Sequence, residues 1–174
     1  YQKAYPTASF EDVRFKDCLE VDVHLHSEFQ KAYNLRLNWY KEDGSLLDTL
    51  NYDAIHHDFV ETVELTGKDQ GLYLLRLDLY EGDTFITRNE YMFTSAQNYQ
   101  GIFTDQTVST VEKLDEGLEV RNPGNKISWW NLLRAWDGEG KNIFIPTNYF
   151  CLLPQEKRLI IPDKPVSRLK LTHF

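Results

Sequence analysis

The chain has 174 residues and a net charge of −8, with 41% hydrophobic, 14% aromatic and 26% charged residues. That balance is ordinary for a globular protein and excludes wholesale disorder, while the acidity excludes the clustered basic surface that nucleic acid or an anionic membrane requires. No apolar run approaches the ~18 residues of a membrane span. The opening YQKAYPT lacks the apolar core of a signal peptide, and its abruptness suggests a piece of something longer. Cys18 and Cys151 are too few and too far apart for a disulfide scaffold, and are expected to be unpaired, buried thiols.

Period-two alternation dominates the first half. Leu19, Val21, Val23 and Leu25 alternate with Glu20, Asp22, His24 and His26, the pattern of a half-buried antiparallel strand. Leu35, Leu37 and Trp39 alternate with Arg36 and Asn38, and the turn Glu42-Asp43-Gly44 leads to a short strand from Leu47 to Tyr52. Phe59, Val63 and Leu65 follow, then Leu72 to Tyr80, and Gly82-Asp83 turns into Thr84 to Thr94. About seven strands with turn signals between them predict a β-sandwich. Trp39 falls in the third strand, where immunoglobulin-like sandwiches bury a tryptophan. Asp69-Gln70-Gly71-Leu72-Tyr73 resembles the tyrosine corner, so Asp69, Gly71 and Tyr73 are expected to pin the entry to the sixth strand. Val23 and Leu75 stand where antibody domains carry their cysteine pair.

The polar stretch Ser95-Ala96-Gln97-Asn98 reads as a linker, dividing the chain into sandwiches at 1–97 and 98–174. In the second, Thr107 to Leu114 and Gly117 to Arg121 read as strands, with Asn122-Pro123-Gly124-Asn125 as a turn. Ile127 to Trp136, Ile143 to Ile145, Lys157 to Ile161 and Arg168 to Phe174 follow, giving about six strands. The fold class expected is all-β, two tandem immunoglobulin-like antiparallel sandwiches.

Chemistry is sparse. His24 and His26 share a strand face, a geometry that chelates a metal given a third ligand, but their neighbours Glu20 and Asp22 favour a solvated surface. His56-His57-Asp58 sits near a turn where adjacent side chains diverge. The many carboxylates single out no glycosidase-type pair, and phosphate-loop, nucleophile-elbow and metal-box motifs are absent from the sequence. No catalytic residue, metal ligand or cofactor is therefore assigned. Trp130 and Trp136 are the candidates for binding. Adjacent Trp129 and Trp130 on a regular strand face opposite sides, so one could stack on a sugar ring or pack against a neighbouring domain.

One stretch carries a resemblance. Thr147-Asn148-Tyr149-Phe150-Cys151-Leu152-Leu153-Pro154-Gln155-Glu156 resembles the pattern Asp-Asn-Tyr/Phe-Phe-x-Leu-Leu-Pro-Gly-Glu near the C-terminus of the β-mannosidase branch of family 2 glycoside hydrolases. It matches at Asn148, Phe150, Leu152, Leu153, Pro154 and Glu156, and departs at Thr147 and Gln155. Gly117 to Asn122 resembles the preceding strand of that domain, and Tyr1 to Pro6 the segment leaving the catalytic barrel. The resemblance implies a non-catalytic tail whose partner is the (β/α)₈ barrel of the same parent chain, where both catalytic glutamates lie. It also implies a periplasmic or secreted bacterial protein, without naming the sugar. The alternatives are an autonomous carbohydrate-binding module and a module whose exposed sheet edge binds protein.

Overall fold

The computed structural model describes residues 4–28, 31–56, 58–66, 71–95 and 107–172. They hold fourteen strands and divide into two compact units, Tyr1–Ile102 and Phe103–Phe174. The linker expected around Ser95–Asn98 largely falls outside the described residues.

The first unit contains β1 (Ala4–Ser9), β2 (Cys18–Ser27), β3 (Tyr33–Lys41), β4 (Leu46–Ile55), β5 (Asp58–Thr66), β6 (Leu72–Glu81) and β7 (Thr84–Thr94). One sheet has the order β1-β2-β5 and the other β4-β3-β6-β7, and every neighbouring pair is antiparallel. Relative to the constant-type immunoglobulin arrangement, the fourth strand has moved to the sheet of the third. The hairpin between them holds it there. Gly44 adopts φ 79°, its amide donates to Lys41 O, and the Ser45 amide donates to an Asp43 carboxylate oxygen. The chain then changes sheets between Ile55 and Asp58, and positive φ values at Ala54 (53°) and Asp58 (118°) mark the bend.

Ala4–Ser9 is a strand of this sandwich, although its first residues had the look of a departing connector. Pro6 lacks an amide donor, which an edge strand tolerates. The alternating residues of β2, β3 and β6 build the core, with Val21, Val23, Leu25, Leu37, Leu75, Leu77 and Leu79 all buried. Val23 and Leu75 thus fill the place of a cysteine pair by packing alone. Trp39 is buried with them, its ring 5.6 Å from that of Phe93.

The second unit contains β8 (Thr110–Leu114), β9 (Gly117–Arg121), β10 (Ser128–Trp136), β11 (Asn142–Ile143), β12 (Phe150–Leu152), β13 (Lys157–Ile160) and β14 (Arg168–Thr172). One sheet is β13-β9-β8; the other is built on β10, which pairs with β11, β12 and β14. Asp137 N donates to Lys141 O and Tyr149 N to Asn131 O, while Ser167 N donates to Trp136 O. Because residues of opposite parity address opposite edges of a strand, β11 and β12 lie along one edge of β10 and β14 along the other. Leu118, Val120, Leu133, Ala135, Phe150, Leu152 and Ile160 from the two sheets form a separate core.

Two expectations are corrected. Cys151 is buried, but Cys18, also a free thiol, is exposed at the start of β2. The tryptophan pair does not sit on a regular strand. Ser128 faces Leu152 and Asn131 faces Phe150, so Trp129 and Trp130 share one opposing residue in a bulge, and Trp130 adopts φ 44°.

Candidate functional site

The bulge in β10 is held by buried amides. Asn131, fully buried, donates through Nδ2 to Ser128 O (3.2 Å) and Phe150 O (3.1 Å). Its Oδ1 accepts from Ser128 Oγ, which in turn accepts from Ser109 Oγ at 2.7 Å. Across the edge, Asn148 Oδ1 accepts the Leu133 amide at 2.8 Å, and the next residue, Tyr149, adopts φ 57°. Trp130 and Tyr149 are therefore both left-handed aromatic residues beside the same peptide of β10. Trp130 is half-buried, Tyr149 is 58% exposed, and Phe144, at the other end of the segment linking β11 to β12, is 70% exposed.

Trp136 is placed differently. It pairs with Arg168 across the β10–β14 ladder, and the guanidinium carbon stands 4.1 Å from the ring centroid. One face of that ring is thus already covered by a cation.

The stretch 148–156 forms a packed corner. Phe150 and Leu152 enter the core, Leu153 N donates to Glu156 Oε2 at 2.7 Å, and Pro154 follows the end of β12, where a missing donor is tolerated. Gln155 has φ 63°, the left-handed value that explains glycine in the related pattern. Asn122 anchors the corner from β9. It is fully buried, and its Nδ2 donates to Lys126 O, Leu152 O and Leu153 O while Oδ1 accepts the Gly124 amide. Asn122 and Asn131 were not singled out from sequence. Their signal was asparagine at the end of, or within, an apolar strand, where it is depleted unless its amide is satisfied.

In the first unit, Tyr73 is buried near the start of β6, with its ring 5.6 Å from Phe15. Gly71 ties this corner to β7, since its amide donates to Ser95 Oγ and its carbonyl accepts from Thr94 Oγ1 and Ser95 N. Asp69 lies outside the described residues.

His24 and His26 do share the outer face of β2. Their rings lie 26° from parallel with centroids 6.4 Å apart, His26 Nε2 is 2.9 Å from Thr7 Oγ1, and His24 Nε2 is 3.4 Å from Ser9 Oγ. Parallel rings each engaged with a hydroxyl do not converge on one point. Among the described residues, no group of three or more His, Cys, Asp or Glu is arranged to hold a metal. His56 Nδ1 lies 3.2 Å from Lys31 O, and His57 is outside the described residues.

Electrostatic perturbation is confined to structural positions. Hydrogen bonds from Ser45 hold the Asp43 carboxyl below its ordinary range in the β3–β4 turn, and the Arg14 side chain does the same for Asp12. Burial, then hydrogen bonding and charge from Glu61, raise the Tyr52 phenol. None of these groups forms a nucleophile–base pair or a carboxylate pair astride a cleft. A cleft of about 350 Å³ lies between the β8–β9 turn and residues 161–166 in the second unit, and one of about 580 Å³ lies beside residues 9–15 and 18–22 in the first.

No family model and no curated protein matches the chain. Solved structures do. The β-D-mannosidase of Dictyoglomus thermophilum matches 99% of this chain over 22% of its own, with a TM-score of 0.59 at 14% identity. The exo-chitosanase of Amycolatopsis orientalis matches 91% of this chain over 23% of its own, with a TM-score of 0.58 at 13% identity. The chain thus spans less than a quarter of either enzyme's length. At this identity the likeness is one of fold: the chain folds as the matching portions of these two enzymes do.

Proposed function

We propose that the chain is the non-catalytic β-sandwich region of a β-mannosidase-like family 2 glycoside hydrolase, supporting a catalytic (β/α)₈ barrel that belongs to the same polypeptide. The observation that carries this reading is the match of 99% of the chain to a 22% portion of a β-mannosidase. The motif from Asn148 to Glu156 supports it, because its residues have definite jobs here. Asn148 receives the Leu133 amide, Phe150 and Leu152 fill the core, and Glu156 closes the turn after Pro154. Neither sandwich brings titratable groups together for bond cleavage, so chemistry belongs to the barrel. Two separate cores suit a rigid buttress, with the domain boundary near residue 97.

The test is a paired assay on aryl β-mannoside and aryl β-glucosaminide. The isolated chain is expected to turn over neither, while the parent enzyme cleaves one and loses thermal stability when this region is deleted. Turnover by the isolated chain, or a parent whose barrel keeps full activity and stability without the region, would sink the proposal.

A second reading, an autonomous glycan-binding module, is favoured by one observation, the exposed aromatic side chains along the β11–β12 edge of β10. Trp136 contributes less to it than its composition suggests, with Arg168 on one ring face.

A further inference from the structure

A left-handed backbone costs an L-residue with a side chain about 1–2 kcal/mol, and glycine or asparagine ordinarily fills such positions. For bulky residues positive φ is a genuine outlier, and such strain gathers at ligand-binding features. The edge of β10 holds two of these outliers side by side. Trp130 has φ 44° in the bulge and Tyr149 has φ 57° opposite it, joined by the hydrogen bond from Tyr149 N to Asn131 O at 2.9 Å. The buried amide of Asn131, bonded to Ser128 O and Phe150 O, fixes one kink, and Asn148, bonded to Leu133 N, fixes the approach to the other.

Packing does not explain the aromatic side chains. Tyr149 is 58% exposed and Phe144, six positions into the same edge segment counted from Glu139, is 70% exposed, so neither ring fills the core. A glycine or asparagine at 149 would relieve the backbone and remove exposed apolar surface. The arrangement instead holds rings in solvent on a rigid support.

We propose that Trp130, Phe144 and Tyr149 form a glycan-binding edge, which rests on the reading of the chain as part of a glycan-cleaving enzyme. Size separates this from a protein-docking surface. An aromatic side chain offers roughly 150–250 Å², so the exposed parts of these three amount to about 300 Å². That is far below the ~800 Å² per partner of a stable protein interface and comparable to one face of a short oligosaccharide. The chemistry fits as well. A pyranose presents an apolar C–H face and a rim of hydroxyls, matched by ring faces and by the polar edges of Tyr149 and Trp130. The acidic chain disfavours anionic ligands.

The experiment titrates the chain with β-1,4-mannotetraose and, separately, with the glucosamine tetramer, by calorimetry and tryptophan fluorescence. Two variants accompany it: Tyr149→Asn, which keeps a residue tolerant of left-handed backbone, and Phe144→Ser, which changes an exposed side chain. Saturable binding of either sugar, weakened at least tenfold in both variants while their Tm stays at or above that of the parent, is the expected result. No saturation up to about 10 mM sugar, where even a millimolar site would fill, overturns the proposal. Equal binding by the variants overturns it too. So does a result in which Tyr149→Asn binds no less sugar but destabilises the full parent enzyme more than the isolated chain, which would make this edge a contact for the catalytic domain. None of these failures touches the buttress reading, which stands or falls on turnover and on deletion of the region.

Discussion

Gln155 concentrates several forces in one residue. Its backbone is left-handed, yet its amide donates to Asn122 O and its side-chain Nε2 to Pro123 O (2.8 Å) and Gly124 O (3.1 Å). Those side-chain bonds tie the β12–β13 turn to the turn after β9, and being exposed they contribute modestly. Gln155→Ala keeps the strained backbone and loses the bonds, whereas Gln155→Gly loses the bonds and relieves the strain. The glycine variant is therefore expected to be more stable than the alanine variant by about 1 kcal/mol in urea unfolding. The reverse order would mean that the turn is not strained. The departure from the related pattern at this position is thus a substitution that the local hydrogen bonding tolerates, and it leaves the corner's geometry in place.

At the scale of elements, two contacts decide how strands lie. Gly117 opens β9 with a backbone so close to β13 that an added Cβ would stand 2.5 Å from Ile160 O. The obstacle is backbone, so β13 would have to move, and Gly117→Ala is expected to cost about 2 kcal/mol. Gly138→Ala, where nothing lies within 4 Å, should be near neutral in the same urea series. Similar losses in both would show that the close approach of β9 and β13 is not what Gly117 serves. On β6 the ordinary alternation fails, because Leu74, Arg76 and Asp78 are buried as fully as Leu75 and Leu77. Arg76 pairs with Glu90 at 2.7 Å, the side chains 2% and 5% exposed, and Asp78 pairs with Arg88. Glu90→Ala strips a buried guanidinium of its charge partner and is expected to cost about 3 kcal/mol. The double variant Arg76→Met/Glu90→Leu should be more stable than Glu90→Ala, and a double variant less stable than that single one would contradict a desolvated pair. These elements also show what was legible in the sequence. β2 and β3 were plain because one face is apolar and the other polar. β1 was missed because Pro6 argues against a strand and the register that admits it at an edge is a tertiary fact. The bulge in β10 was invisible because side-chain identity records no φ, so Trp130 was found by composition while the kinks that aim Trp130 and Tyr149 were not.

For the whole molecule, the separation into two cores sets how it should unfold. The first core gathers sixteen buried hydrophobic residues and the second ten, from units of Tyr1–Ile102 and Phe103–Phe174. Smaller domains bury a smaller fraction of their surface, so the second unit has less hydrophobic stabilisation to set against its chain entropy. The tryptophans allow the two to be followed apart. Of the four in the chain, Trp39 lies in the first core, and Trp129, Trp130 and Trp136 lie in the second unit. The Nε1 of Trp39 is buried with no hydrogen-bond partner among the described residues, so Trp39→Phe removes an unsatisfied donor along with ring volume and should leave the first sandwich folded. In that variant fluorescence reports the second unit alone, whereas far-UV circular dichroism reports strands of both. Urea should then move the fluorescence transition to a lower midpoint than the circular dichroism transition, which becomes broad or biphasic. Coincident midpoints would mean that the two sandwiches unfold as one cooperative body. The smaller core would then draw its stability from the larger unit, and the aromatic edge of β10 would be only as rigid as the first sandwich makes it.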